Sequence, residues 1–90
     1  MQTADRRSER RHAGDGDVTL SVEEPLELQI HGRLVDYSRN GFRAVHSFSQ
    51  LQPGQVVHFS HLVGRGTARV MWNRIIAERV ETGFLVIAAA

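Results

Sequence analysis

Hydrophobic and polar residues alternate along most of the chain from Val18 onward. Val18, Leu20 and Val22 begin this pattern, and the segments 26–30, 56–59 and 67–72 repeat it. A period of two with one apolar side is typical of half-buried β-strands. Glycine- and proline-containing turn signals separate the segments, as at Pro53-Gly54 and residues 64–66. About six short strands at this spacing predict a small β-barrel or sandwich with little helix.

Three further details concern the segments between and within these strands. The segment 47–52 is compatible with a single helical turn. The stretch 73–81 is predicted to be a connection, although 74–80 is also compatible with a short helix or a strand extension. The alternation over 67–72 predicts that Trp72 faces the core on the same side as Val70.

The first 17 residues do not share this pattern. They carry four arginines and four acidic residues, with almost no apolar side chain. Such a segment cannot bury enough apolar surface to fold alone, so it is predicted to be a flexible arm. The predicted organisation is an arm over 1–17, a β-barrel domain over 18–87 and a short tail over 88–90.

Composition excludes several kinds of protein. The chain has 90 residues, a formal net charge of +1 and no cysteine, so disulfides, thiolate nucleophiles and cysteine metal sites are excluded. The charged N-terminus does not resemble a signal peptide, and no apolar run approaches the roughly 18 residues of a membrane span. We therefore expect a cytoplasmic protein that does not insert into membranes.

Candidate catalytic and metal sites are weak. His58 and His61 lie three residues apart on a predicted strand, which places their side chains on opposite faces. No metal-binding histidine motif, nucleophile elbow or phosphate-binding loop is present, so we predict no enzyme activity, no bound metal and no cofactor. All eleven Lys or Arg positions are arginine. Arginine binds phosphate in a forked geometry and stacks on flat rings.

The polar turn Asp36–Gly41 stands out between two predicted strands. Its Asp, Ser and Asn side chains can hydrogen-bond the nearby backbone, and Gly41 permits close approach of another group. Asp36 and Ser38 are two residues apart on an extended chain, so they should point to the same side. The turn is therefore compatible with simple turn chemistry, with a rigid wall of a ligand site, or with both.

Taken together, the arm and the turn resemble the PilZ domain family. The family pairs an R-x-x-x-R motif with a later [DN]-x-S-x-x-G motif, and both stand here in that order. The second is Asp36-x-Ser38-x-x-Gly41, whereas the first fits as Arg7 with Arg11 or as Arg6 with Arg10. The family's frequent extra arginine before the motif favours the Arg7 and Arg11 pair, although the register stays open. Further segments resemble the family's later text, namely 51–57, 68–72 and 81–84.

This resemblance implies a six-stranded antiparallel β-barrel that binds the bacterial second messenger cyclic di-GMP and relays its level to a partner protein. Such a partner would belong to motility, pilus or exopolysaccharide machinery, and the chain would be a monomer or weak dimer. The arginines would close on the phosphates and guanines, Asp36 and Ser38 would hydrogen-bond the ligand, and Gly41 would leave room for it. The implied ligand-binding residues are Arg6, Arg7, Arg10, Arg11, Asp36, Ser38, Asn40 and Gly41.

Two other functions fit the same sequence less well. The first is a PilZ-like protein-interaction module without nucleotide binding, which the presence of both motifs argues against. The second is a nonspecific nucleic-acid binder that uses the arginine arm. The low net charge and the few aromatic residues make such binding unexpected.

Overall fold

A computed structural model describes residues 10–24 and 26–90, so Arg6 and Arg7 of the predicted site lie outside the described residues. The described chain consists of strands and turns, and none of it forms a helix long and apolar enough to cross a membrane. The strands are β1 (His12–Ala13), β2 (Asp17–Val22), β3 (Leu28–Tyr37), β4 (Gly41–His46), β5 (Val56–His61), β6 (Gly64–Ile76) and β7 (Arg79–Ala89).

Six of these strands close into an antiparallel barrel. The hydrogen-bonded order is β3-β2-β5-β6-β7-β4, and pairing of β3 with β4 completes the ring. The short strand β1 is additional and pairs with the end of β3. The prediction of an all-β, six-stranded antiparallel barrel is confirmed.

The core consists of the inward-facing residues of the alternating segments. Val18 and Leu20 are fully buried on β2, and their neighbours Asp17 and Thr19 are not. The rings of Phe42 and Phe84 stack with centroids 4.6 Å apart inside the barrel. A buried aromatic pair of this kind contributes about 1 kcal/mol beyond the area it removes from water. The barrel is therefore held by the period-two pattern that the sequence shows.

Strand boundaries differ from the predicted ones at both ends of the domain. β2 begins at Asp17 and β7 continues to Ala89, so paired strand extends beyond 18–87 at both ends. Of the alternatives for 74–80, the structure has the strand extension, which lengthens the β6–β7 hairpin, whereas 47–52 forms a turn without helix. In the hairpin, cross-strand pairs such as Ile75 with Val80 provide hydrogen-bond partners for the backbone N–H and C=O groups, so no helix is needed to pair them.

The described part of the predicted arm lies against the barrel. His12 and Ala13 pair with Tyr37 and Asp36, and the amide of Gly14 donates to the carbonyl of Val35 at 2.9 Å. Backbone pairing of this kind needs no apolar side chain, which explains why the hydrophobic pattern did not indicate it. Gly14 also fits closely, since a Cβ there would lie 2.6 Å from Leu34 Cγ.

The prediction that Trp72 packs in the core with Val70 is wrong. Val70 is buried, but Trp72 is 39% exposed. The reason is a register shift between these residues: Val70 pairs with Phe84 and Trp72 pairs with the adjacent Gly83. A bulge of one residue ends the alternation and turns the following side chain to the other face.

One turn residue is strained, and its replacement should stabilise the fold. Ala77, in the two-residue connection between β6 and β7, has a φ of 55°. This left-handed conformation costs a residue with a Cβ about 1 kcal/mol or more relative to glycine. We expect Ala77→Gly to stabilise the domain by about 1 kcal/mol and to raise its melting temperature by roughly 4–8 °C. Thermal unfolding followed by circular dichroism would measure it. Glu78→Gly, at the neighbouring position without positive φ, should destabilise instead; stabilisation by both would contradict the argument.

A chain of polar groups links three strands, β4, β7 and β6, and the loop that follows β4. The amide of Phe48 donates to Nδ1 of His46 at 3.1 Å, so Nδ1 carries no proton. Nε2 therefore donates to the Thr82 hydroxyl at 2.7 Å, and that hydroxyl donates to Oδ1 of Asn73 at 2.6 Å. Asn73 in turn donates to the carbonyl of Leu51 at 2.8 Å. A proton on Nδ1 would remove the acceptor of the Phe48 amide, so the chain is complete only while His46 is neutral.

The domain should consequently become less stable as the pH falls below neutral. Burial lowers the pKa of His46, and burial lowers that of His61 as well. The unfolded chain then binds protons near pH 6.5 while the folded chain does not, so the free energy of unfolding decreases as pH falls from about 7 through this range. Urea unfolding midpoints at pH 7.5, 6.5 and 5.5 would measure the slope. His46→Gln should make the slope shallower; an equal slope in wild type and His46→Gln would contradict this.

Candidate functional site

The polar turn is a tight connection between β3 and β4. The amide of Ser38 donates to the carbonyl of Gly41 at 2.8 Å, which leaves Arg39 and Asn40 exposed at the tip. This closure fixes the register of the two strands, so that Asp36 lies directly opposite Arg43. The backbone of the turn is thus built by its own hydrogen bonds and requires no ligand.

Asp36 lies at the centre of an arginine cluster. Asp36 is only 8% exposed, and its carboxylate accepts hydrogen bonds from two arginines. Arg11 donates from Nη2 to Oδ1 at 2.9 Å, and Arg43 donates from Nε at 3.0 Å and also from Nη2. Arg11 further reaches the Ser38 hydroxyl, with Nη1 and Oγ 3.4 Å apart. Asp36 and Ser38 therefore do point to the same side, and Arg11 joins them.

The cluster remains ionised. Burial by itself would raise the pKa of Asp36, but the hydrogen bonds from Arg43 and Arg11 and their positive charges outweigh burial, so its pKa lies below the ordinary value. The hydrogen bond to Asp36 raises the pKa of Arg43 in return, despite opposing burial. Both oxygens of Asp36 face arginines, so here this residue positions Arg11 and offers no free acceptor.

A second carboxylate continues the cluster across the barrel surface. Glu81 on β7 is 4% exposed and lies between Arg43, whose Nη1 is 3.2 Å from Oε2, and Arg74, whose Nη2 donates to Oε1 at 2.6 Å. Three arginines and two carboxylates thus alternate from Arg11, just before β1, over β3, β4, β7 and β6. Arg43 is held from both sides, whereas the Arg11 side chain has a carboxylate on one side and is 42% exposed.

An exposed indole lies beside this cluster. Trp72 covers Gly83, where an added Cβ would overlap the indole ring. A groove of about 600 Å³ runs between the arginines and this ring, and we call it the tryptophan groove. Its lining includes Arg11, Asn40, Arg43, Met71, Trp72 and Leu85. A flat aromatic face and guanidinium groups in one groove are suited to a ligand that has both a planar base and an anionic group.

A second groove lies on the other side of the turn. It has a volume of about 620 Å³ and contains three exposed arginines, and we call it the arginine groove. Arg10 faces this groove while Arg11 faces the tryptophan groove, as expected for consecutive residues of an extended chain. Further lining residues are His12, Arg39, Asn40, Phe59, His61, Val63, Arg65 and Val86.

The predicted site residues are thus divided by the turn. Arg11, Asp36 and Ser38 contact one another. Asn40 and Gly41 border both grooves, whereas Arg10 and Ser38 line only the arginine groove. Gly41 has a structural role of its own, because a Cβ there would lie 2.5 Å from the carbonyl oxygen of Phe84 on β7.

Sequence reasoning missed Arg43, Glu81 and Arg74 and assigned Trp72 to the core. Arg43 could have been found, because a tight turn over Ser38–Gly41 places it opposite Asp36 and opposite charges favour such cross-strand pairs. Glu81 and Arg74 gave no such signal, since their contacts depend on how β4, β7 and β6 pair. Within residues 10–24 and 26–90, no group of three or more His, Asp or Glu side chains is arranged to hold a metal ion.

Comparison with known proteins adds no relative: no protein-family model matches the chain, and no curated protein matches it.

Proposed function

We propose that this barrel is a PilZ-type receptor that binds cyclic di-GMP in the tryptophan groove. The observation that carries the proposal is the position of Arg11, which is held by Asp36 and Ser38 in the groove that also contains the exposed ring of Trp72. Cyclic di-GMP carries two phosphodiester charges and two flat guanines. A guanidinium beside an aromatic face offers one partner to each kind of group.

Each side chain then has a defined task. Arg11 donates to a phosphodiester oxygen, and Trp72 stacks on a guanine. Asp36 and Arg43 act as positioning residues, because they hold the base of the cluster in place while Arg11 remains partly exposed. Glu81 keeps Arg43 oriented from the opposite side. Arg6 and Arg7 belong to the motif and would add positive charge from upstream.

Binding, not catalysis, is the proposed activity. The ligand would bind reversibly without a cofactor, and the barrel would report its presence to a partner protein in the cytoplasm. A partner in motility, pilus or exopolysaccharide machinery follows from the family resemblance and belongs to the same proposal. The excess of arginine over carboxylate in the cluster favours a dianionic ligand over a neutral one.

Isothermal titration with cyclic di-GMP tests the proposal directly. We expect saturable binding with a dissociation constant tighter than about 100 μM, which corresponds to about −5.5 kcal/mol. GMP, with a single phosphate and a single base, should bind more weakly under the same conditions. Absence of both heat and NMR shifts at ~100 μM cyclic di-GMP would refute the proposal.

Arg11→Ala should selectively weaken this binding. A hydrogen bond to a charged partner contributes roughly 1.5–3 kcal/mol when buried, and the partial exposure of Arg11 brings the expected loss to about tenfold in affinity. The fold should change little, because Asp36 keeps its hydrogen bonds and ion pair with Arg43 when Arg11 is removed. Arg79→Ala removes an equally charged, exposed residue outside both grooves and serves as the matched control. Equal affinity of the two variants would count against the assigned role of Arg11.

A further inference from the structure

The arginine groove is positively charged. Arg10, Arg39 and Arg65 converge on it from three separate segments, and none of the acidic side chains within residues 10–24 and 26–90 lines it. None of the three forms an ion pair or a side-chain hydrogen bond with another residue in the described part of the chain. This differs from the tryptophan groove, where Arg11 and Arg43 are already paired with Asp36. Within the part of the chain that the structure describes, the three guanidinium groups have no counter-charge, which suits them to an anionic partner.

The base of this groove is apolar. Phe59 and Val86 belong to the core or pack against it, and both line the groove beneath the arginines. Val63, at the β5–β6 turn, adds a further exposed apolar side chain. An occupant that fits both features needs acidic groups and at least one apolar group at a spacing of a few ångströms.

A backbone edge adjoins the same groove. Pairing of β7 with β4 ends at Gly41 and Leu85, and the amide of Val86 donates to the carbonyl of Asn40. Beyond that point, Ala88 and Ala89 pair with Thr67 and Gly66 of β6 on one side, and Ile87 lies at a bulge. No strand among residues 10–24 and 26–90 pairs with this end of β7 on the other side. Val86 and Ala89 both line the groove. An open strand edge is a site at which another extended chain can add by main-chain hydrogen bonds.

We propose that the arginine groove docks an extended acidic segment of a partner protein. The segment would add as a strand to the Ile87–Ala89 edge. Its acidic side chains would reach the three arginines, and the residues alternating with them would place an apolar side chain on Phe59 and Val86. Alternation of the two residue types follows from the period of two of an extended chain.

A peptide fits these features better than a nucleic acid. The open edge offers main-chain donors and acceptors with the spacing of a β-ladder, which a peptide backbone matches and a sugar-phosphate chain does not. The positive charge is confined to one concave site on a protein whose net charge is only +1. Nonspecific nucleic-acid binding requires a longer basic surface that follows the phosphates.

This inference stands apart from the proposed nucleotide function. The two grooves share Asn40 and Gly41, but neither Arg11 nor Trp72 lines the arginine groove. Docking of the acidic segment can therefore be measured without nucleotide. Failure of one kind of binding leaves the other measurable in the same preparation.

The test uses a fluorescein-labelled decapeptide of alternating Glu and Val, titrated with the whole protein and followed by anisotropy in 50 mM NaCl. A Glu-Pro decapeptide has the same charge but cannot donate main-chain hydrogen bonds at every second residue. Labelled decathymidylate tests the nucleic-acid alternative. Arg39→Glu and Arg65→Glu reverse charge in the groove, and Arg79→Glu makes the same change outside it.

We expect the Glu-Val peptide to bind at sub-millimolar concentration and to lose about fivefold or more in affinity with Arg39→Glu or Arg65→Glu, but not with Arg79→Glu. Binding should weaken severalfold in 500 mM NaCl, where screening is stronger. Backbone NMR shifts should centre on Ile87–Ala89. No binding at 1 mM peptide, equal binding of the Glu-Pro peptide, equal loss with Arg79→Glu, or tighter binding of decathymidylate would each overturn the proposal.

Discussion

Replacing Trp72 by alanine is expected to weaken cyclic di-GMP binding by about 5- to 150-fold, since stacking of one base on an aromatic side chain contributes roughly 1–3 kcal/mol. The position of the ring supports an effect of this size. Trp72 lies flat on Gly83 and has no side chain beneath it to displace, and it lines the groove together with Arg11 and Arg43. Because Trp72 is 39% exposed, a guanine can stack on its ring without displacing a protein side chain.

The measurement is an isothermal titration of the variant beside wild type and Trp72→Phe. Phenylalanine retains an aromatic face, so Trp72→Phe should recover a large part of the affinity that Trp72→Ala loses. Met71→Ala provides the control, because Met71 lines the same groove and is exposed to a similar degree but has no ring. If Met71→Ala and Trp72→Ala weaken binding equally, the groove binds through apolar area alone and the stacking role is refuted.

Most of the barrel follows from local sequence, and the exceptions have specific causes. Alternation at Val18–Val22 predicts a strand because successive side chains on β2 point alternately to the core and away from it. The same rule fails at Trp72, where a bulge adds one residue between Val70 and the next paired position. It also fails at His12–Ala13, where backbone pairing with Asp36 and Tyr37 orders a segment that has no apolar pattern.

The site shows the corresponding division. Asp36, Ser38 and Arg11 could be chosen from motif spacing, and the structure brings these three into contact. The spacing of motifs along the sequence does not indicate which distant strands of the barrel pair with one another. Glu81 meets Arg43 only because β7 lies next to β4, so a residue 38 positions away completes the support of the cluster. Such contacts depend on which strands pair across the barrel, and local sequence patterns do not specify this pairing.

Gly41 illustrates how a motif residue can serve the fold and a ligand site together. The family resemblance assigns its lack of a side chain to ligand access. In the barrel, the position of the absent Cβ is 2.5 Å from the Phe84 carbonyl oxygen, at the place where β4 and β7 begin to pair. Real Cβ atoms essentially never approach backbone oxygens this closely, so any larger residue at position 41 would force the backbone of β4 or β7 to shift.

Gly41→Ala should therefore destabilise the domain by about 2–3 kcal/mol, at the upper end of the cost of overpacking, because backbone on both sides must shift. For a domain of this size, the melting temperature should fall by roughly 10–20 °C. Gly64→Ala is the matched control: a Cβ there meets no atom within 4 Å, and the expected change is within about 0.5 kcal/mol. Urea unfolding would give both values. Unchanged stability together with lost nucleotide binding in Gly41→Ala would show that this glycine serves the ligand alone. Loss of stability with binding retained below the lowered transition would show that it serves the pairing of β4 with β7.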